Sequence, residues 1–188
     1  MRPTASGQSA LLLLDVISRL NERRIPYAII GAFAASFYGM VRASLDADAV
    51  ISIRNSQDAQ SLCKDLRSEN LQVEYRSGDS DDPIAAVINI QDSFHNRVDL
   101  LIGIRGMAED SFGRTQEAQF MGSSIKIIGL EDFIALKIFA GSPKDIQDAV
   151  GVLKVSGQKI DINFLKQLTA RYGADCVKRL QALLKEHS

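Results

Sequence analysis

The stretch YAIIGAFAASFYGMVRASLDADAVISI, Tyr27 to Ile53, decides how the rest of the chain is read. An apolar run from Tyr27 to Ile30 stops at Gly31. That glycine permits a sharp turn into the Ala-rich segment Ala32 to Tyr38, a short helix closed by Gly39. From Leu45 the pattern changes to period two. Leu45, Ala47, Ala49, Ile51 and Ile53 fall on one face of a strand, and Asp46, Asp48, Val50 and Ser52 on the other. Two carboxylates at i and i+2 of one strand point the same way, about 7 Å apart at Cα. Bare like charges at that spacing repel, and one tends to stay protonated. A divalent cation between them removes the conflict, and an oxygen-only ligand set suits magnesium. Taken alone, a D-x-D is more often a solvated strand edge than a metal site.

A third carboxylate would complete such a site, and Asp99 offers one. It sits in Arg97 to Gly103, where Val98, Leu100 and Ile102 face one way and Asp99 and Leu101 the other. This run and Ile84 to Ile90 form an antiparallel pair. His95, in the connection between them, reads as polar turn chemistry.

Upstream, a helix is expected from Ser9 to Arg24, with Leu13, Ile17 and Leu20 as its stripe, widened by Leu12 and Val16 and ended by Pro26. Residues 1–8 are polar and expected to be loose. Downstream of the carboxylate strand, Asn55 caps a helix whose core face is Ala59, Leu62, Cys63 and Leu66. Leu71 to Tyr75 reads as an edge strand, and Arg76 to Pro83 as a solvated loop whose aspartates lack the spacing of a calcium loop. Ala118 to Ile128 holds two β-like runs broken at Gly122-Ser123. From Gly129 the character is helical: Leu130 to Gly141, Pro143 to Val155, Asp161 to Tyr172, and Ala174 to Glu186 with Val177, Leu180 and Leu184 as its stripe.

Four polar positions near these elements carry two readings each. Arg42, four residues before the carboxylate strand, is either a surface charge or a group that reaches a triphosphate. Lys137 interrupts an apolar helical face, so its ammonium either snorkels out or meets an anion. Asp145 and Asp148 suit the first turns of a helix electrostatically, and either could instead meet the site.

The chain has 188 residues, 22 basic and 23 acidic side chains, a net charge of −1 and a hydrophobic fraction of 46%. A sizeable core can be buried, and nothing global advertises nucleic acid. Cys63 and Cys176 lie far apart without metal-ligand spacing, and read as buried free thiols. No segment is apolar for long enough to span a membrane, and the N-terminus lacks a secretory pattern, so a soluble cytoplasmic protein is expected.

Gly31-Ala32, thirteen residues, then Asp46-Ala47-Asp48, with Asp99 on a later strand, resembles the DNA polymerase beta-like nucleotidyltransferase superfamily. More narrowly, Gly31, Ala32, Ala34, Gly39, Arg42, Ser44, Asp46 and Asp48 are similar to the small bacterial branch related to abortive-infection toxin nucleotidyltransferases. The segment Leu136 to Asp148, with Lys137 and the K-D-x-x-D of Lys144 to Asp148, is similar to a later segment of those proteins. One departure stands out: Ala32 occupies a position where active members usually carry serine or glycine.

The resemblance implies an α+β fold, a mixed β-sheet core over residues 1–128 with helices packed on it and a helical C-terminal part over 129–188. It implies Asp46, Asp48 and Asp99 as catalytic and metal-binding residues for Mg2+. Gly31, Ala32, Ser36, Arg42, Lys137 and Asp145 would face the nucleotide. The implied activity is transfer of a nucleoside monophosphate from a nucleoside triphosphate to a hydroxyl of a small molecule, a protein or a tRNA end. The chain would then act as a free-standing enzyme or as the toxin of a toxin–antitoxin pair, with an antitoxin or a second copy as partner. Two other classes are weighed against this: a lapsed member that binds nucleotide or a partner without turnover, and a purely structural interaction module.

Overall fold

A computed structural model describes residues 2–186. Among them, β1 (Tyr27–Ile29), β2 (Asp46–Ile51), β3 (Gln72–Ser77), β4 (Ile84–Gln91), β5 (Arg97–Ile104), β6 (Gln116–Phe120) and β7 (Ser123–Ile127) build one sheet. Its order is β3-β4-β5-β2-β1-β7-β6. The pairing is mixed: β2 runs parallel to β5 and β1 parallel to β7, and the other neighbours are antiparallel. The fold is α+β, as expected.

The helices are α1 (Ser9–Glu22), α2 (Gly31–Phe37), α3 (Ser56–Ser68), α4 (Leu130–Ala140), α5 (Pro143–Ser156), α6 (Ile162–Ala170) and α7 (Ala174–Glu186). α1 buries Leu12, Leu13, Val16, Ile17 and Leu20, the face its spacing predicts. It lies against β2 and β5. On those strands Ala47, Ala49, Ile51, Val98 and Leu100 are buried. The core face of α3 is the predicted Ala59, Leu62, Cys63 and Leu66, and the Asn55 side chain accepts the Asp58 N–H at 2.9 Å. Such a cap contributes about 1 kcal/mol. Both cysteines are free and buried.

α4 is buried from Asp132 to Ile138, so it is a core helix rather than a surface one. Phe133, Ile134, Ala135 and Ile138 are fully buried along it, and Gly141, at φ 67°, ends it in the left-handed conformation. α5, α6 and α7 pack against it. No helix among the described residues is long and apolar enough to cross a membrane.

Several local expectations are corrected. Residues 2–8 are tied down rather than loose: buried Asn96 needs partners for its amide, donates to the Ala5 carbonyl at 2.8 Å and accepts the Gln8 N–H at 2.6 Å. Met1 lies outside the described residues. Leu45 is exposed, because β2 starts only at Asp46 and the ladder that would bury it has not begun. The stripe of α7 is Cys176, Leu180 and Leu183, one register away from Val177 and Leu184. The turn between β6 and β7 is Met121-Gly122, both at positive φ.

Candidate active site

β2 and β5 are neighbours in parallel, with Asp46 opposite Arg97 and Asp48 opposite Asp99. The period-two alternation therefore delivers all three carboxylates to one sheet face. One oxygen from each of Asp46, Asp48 and Asp99 lies within 4.8 Å of the others. All three side chains are half-buried.

Gly31 closes the site from the other side of β2. Its φ is +63°, and a Cβ added there would lie 2.1 Å from Oδ2 of Asp48. A side chain is excluded twice over, by backbone conformation and by space. The preceding residue fixes the approach, since the Ile30 N–H donates to the Asp48 carbonyl at 3.0 Å.

Two short hydrogen bonds orient the carboxylates. Ser44 Oγ donates to Oδ1 of Asp46, and Asn89 Nδ2 donates to Oδ1 of Asp99 at 2.8 Å. Asn89 stands directly opposite Asp99 across the β4–β5 ladder. Its own Oδ1 is buried with no donor among the described residues. An unsatisfied buried acceptor is unfavourable, so the amide is held at some expense in an orientation that serves Asp99. Asn89 is absent from the sequence reading; once the β4–β5 pairing is fixed, counting back from Asp99 finds it.

Electrostatically the triad is under tension. Burial pushes the Asp48 carboxyl up to about 6, the charges of Asp46 and Asp99 push the same way, and Lys137 and Arg42 pull against them. The donors are hard oxygens and their mutual repulsion is what a divalent cation relieves, so the residues fit magnesium.

Lys137 neither snorkels to solvent nor stands free. Its Nζ is 2.7 Å from Oδ1 of Asp145 and 2.9 Å from Oδ2 of Asp148. Asp148 is almost fully buried and also accepts from Arg42 Nε at 3.2 Å. Arg42 Nη1 is buried without a partner among the described residues. Burial alone would raise the Asp145 carboxyl, but the hydrogen bonds from Lys137 and Ser142 outweigh it and hold it below the ordinary range. The two cations read from the sequence are thus knitted to α5 by carboxylates, with Asp148 as the shared anchor.

The expected nucleotide-facing residues divide between two hollows. Gly31, Lys137 and Asp145, with Asp48 of the triad, line one of about 340 Å³ beneath α4, whose walls are otherwise apolar, with Ile30, Leu101, Leu136 and Phe139 among them. Ala32, Ser36 and Arg42, with Asp46 of the triad, line another of about 560 Å³ between α2 and the β6–β7 hairpin. The triad stands where the two approach each other. Ala32 is buried, and Ser36 makes no hydrogen bond to the triad.

No family model matches the chain, and no curated protein matches it. Solved structures do. The antibiotic-resistance factor ANT(2")-Ia, in complex with adenylyl-2"-tobramycin, aligns with a TM-score of 0.59 at 15% identity, covering 97% of this chain and 100% of that one. An antigenic nucleotidyltransferase-like protein from Paracoccidioides brasiliensis aligns with a TM-score of 0.54 at 17% identity, over 95% and 94% of the two chains. The lincosamide antibiotic adenylyltransferase LnuA, lincomycin-bound, aligns with a TM-score of 0.51 at 11% identity, over 81% and 99%. At these identities the likeness shows a shared fold, that of nucleotidyltransferase structures.

Proposed function

We propose that the chain is a magnesium-dependent nucleotidyltransferase that moves a nucleoside monophosphate from a nucleoside triphosphate to a hydroxyl acceptor. The observation that carries this reading is the convergence of Asp46, Asp48 and Asp99 on one face of the β2–β5 pair, against the Gly31 turn. Magnesium held by these carboxylates would neutralise charge on the triphosphate. Asp99, with Oδ1 committed to Asn89, keeps Oδ2 for the proton of the attacking hydroxyl. Arg42 and Lys137 supply positive charge from the two hollows, and the apolar walls beneath α4 suit a nucleobase. Transfer of this kind depends chiefly on positioning and charge neutralisation. That one structural neighbour holds adenylyl-2"-tobramycin supports the reaction class.

A second reading, a lapsed enzyme that binds nucleotide without turnover, is favoured by Ala32 and by the capture of both cations by Asp145 and Asp148. Calorimetric titration with magnesium–nucleotide, run beside pyrophosphate release, separates the two. Binding with release supports the enzyme, and binding without release supports the lapsed form. No binding overturns both and leaves an interaction module. Assignment to the abortive-infection branch, with an antitoxin as partner, rests on the motif from Gly31 to Asp48. Growth arrest on induced expression, relieved by Asp46→Asn, tests it.

A further inference from the structure

The triad lies at the border between a covered and a bare part of the sheet. On the Asp99 side, two rows of polar side chains cross the strands on the same face. Arg97 stands opposite Gln91, which stands opposite Gln72; Asp99 stands opposite Asn89, which stands opposite Glu74. Gln72, Glu74, Arg76, Asn89, Gln91 and Arg97 line a hollow of about 330 Å³, and Asp99 stands next to it. Its wall carries no aromatic side chain, and Asn89 joins it to the triad through the bond to Asp99.

The charges of this hollow do not cancel. Glu74 and Arg76 form a pair at 2.8 Å. Arg97 is exposed and has no carboxylate partner among the described residues, although it stands directly beside Asp46. Arg42 and Lys137, the other cations around the triad, are already held by Asp145 and Asp148. Among the described residues, Arg97 is therefore the one cation at the site that presents an uncommitted guanidinium to solvent. An unpaired surface arginine is ordinary by itself. This one lines a hollow of amides, one of which, Asn89, donates to the third carboxylate.

A guanidinium recognises phosphate by paired, charge-assisted hydrogen bonds. We infer that this hollow holds the acceptor, and that the acceptor is a hydroxyl compound bearing a phosphate close to the reacting hydroxyl. Arg97 takes the phosphate and Asp99 the hydroxyl. The inference rests on the nucleotidyl-transfer reading of the triad. In the reaction the acceptor oxygen forms a bond to the α-phosphorus, and the bond from that phosphorus to the bridging oxygen breaks. Pyrophosphate leaves with the electron pair, and the hydroxyl proton passes to Asp99 Oδ2. The end of an RNA strand and a small phosphorylated sugar share this chemistry, whereas tobramycin, a polyamine, would bring like charge against Arg97.

The test uses the full chain with magnesium and the four α-labelled nucleoside triphosphates. The acceptors are a short single-stranded RNA, a nucleoside 5'-monophosphate, the same nucleoside without phosphate, and tobramycin. We expect label in a phosphate-bearing acceptor with kcat/KM about tenfold or more above the bare nucleoside, the scale of a charge-assisted hydrogen bond. Arg97→Gln should erase that preference while magnesium–nucleotide affinity by calorimetry stays at the wild-type value. Label in RNA alone assigns a strand end, and label in the monophosphate assigns a small molecule. Equal or better labelling of the nucleoside or of tobramycin overturns the inference, as does an Arg97→Gln variant that keeps the preference. Pyrophosphate release with no label in a phosphate-bearing acceptor overturns it too, yet leaves the triad's reaction standing. Absence of magnesium–nucleotide binding by the wild-type chain sinks both.

Discussion

A methyl group on Gly31 would lie 2.1 Å from Oδ2 of Asp48, so the turn after β1 and the second carboxylate of β2 occupy adjoining space with no room for a side chain. Gly31→Ala must displace that carboxylate and hold alanine at φ +63°. Destabilisation of about 1–2 kcal/mol is expected from the backbone alone. Because Asp48 is pushed out of line, Mn2+ affinity measured by electron paramagnetic resonance should fall as well. Urea unfolding beside the Mn2+ titration checks both, and wild-type Mn2+ affinity in this variant would contradict the packing.

Asp46→Asn should abolish metal-dependent transfer and leave the fold intact, since the side chain is half-buried and amide and carboxylate are nearly the same size. Circular dichroism and a pyrophosphate-release assay are the measurements. Unchanged turnover would reject the triad as the reacting centre.

Asp48 gives the metal-free protein a pH dependence of defined sign. Its carboxyl is at about 6 when folded, against an ordinary 3.8, because burial and then the charges of Asp46 and Asp99 disfavour ionisation. The folded state therefore holds this proton more tightly than the unfolded chain, and stability rises as pH falls through about 6 toward 4. Divalent cations compete with the same proton, so Mn2+ affinity should weaken over that interval. Urea midpoints at pH 7.5 and 5 test the sign, and Asp48→Asn should flatten the difference.

Asp148 and Asp145 should respond very differently to loss of charge. Asp148 is 4% exposed at its side chain and holds both Arg42 and Lys137, whereas Asp145 is 21% exposed and pairs with one cation, Lys137, beside its bond from Ser142. Removing one partner of a buried pair strands the other, at about 3–5 kcal/mol. Asp148→Asn should fall in that range, and Asp145→Asn should cost about 1 kcal/mol, as for a partly solvated pair. Chemical denaturation of the two variants side by side decides it.

How much of this could be read from the residues depends on the range of the interaction that determines each feature. The α3 cap and core face, the β4–β5 hairpin and the end of α4 at Gly141 are set by neighbours close in the chain, and spacing alone finds them. The acidic residues were legible because period two puts Asp46 and Asp48 on one face, and the same alternation in Arg97 to Gly103 offered Asp99. Asn89 and the shared anchor at Asp148 were not, because their roles come from strand register and helix packing that no local pattern encodes. Residues 2–8 misled for the same reason: what pins them is the buried amide of Asn96, far along the chain.

The pairing of β2 with β5 has a consequence for how the protein comes into being. α3, β3 and β4 are all threaded between those two strands in the chain, so Asp99 reaches Asp46 and Asp48 only after half the sheet has been laid down. Pairings between distant segments form late and slowly. A nascent chain that has not yet emitted β5 carries the D-x-D without Asp99, so the three-carboxylate cluster does not yet exist in it. Acquisition of divalent-ion affinity during refolding should accordingly track the slowest kinetic phase rather than the burst, which makes the ion a chronometer of completion.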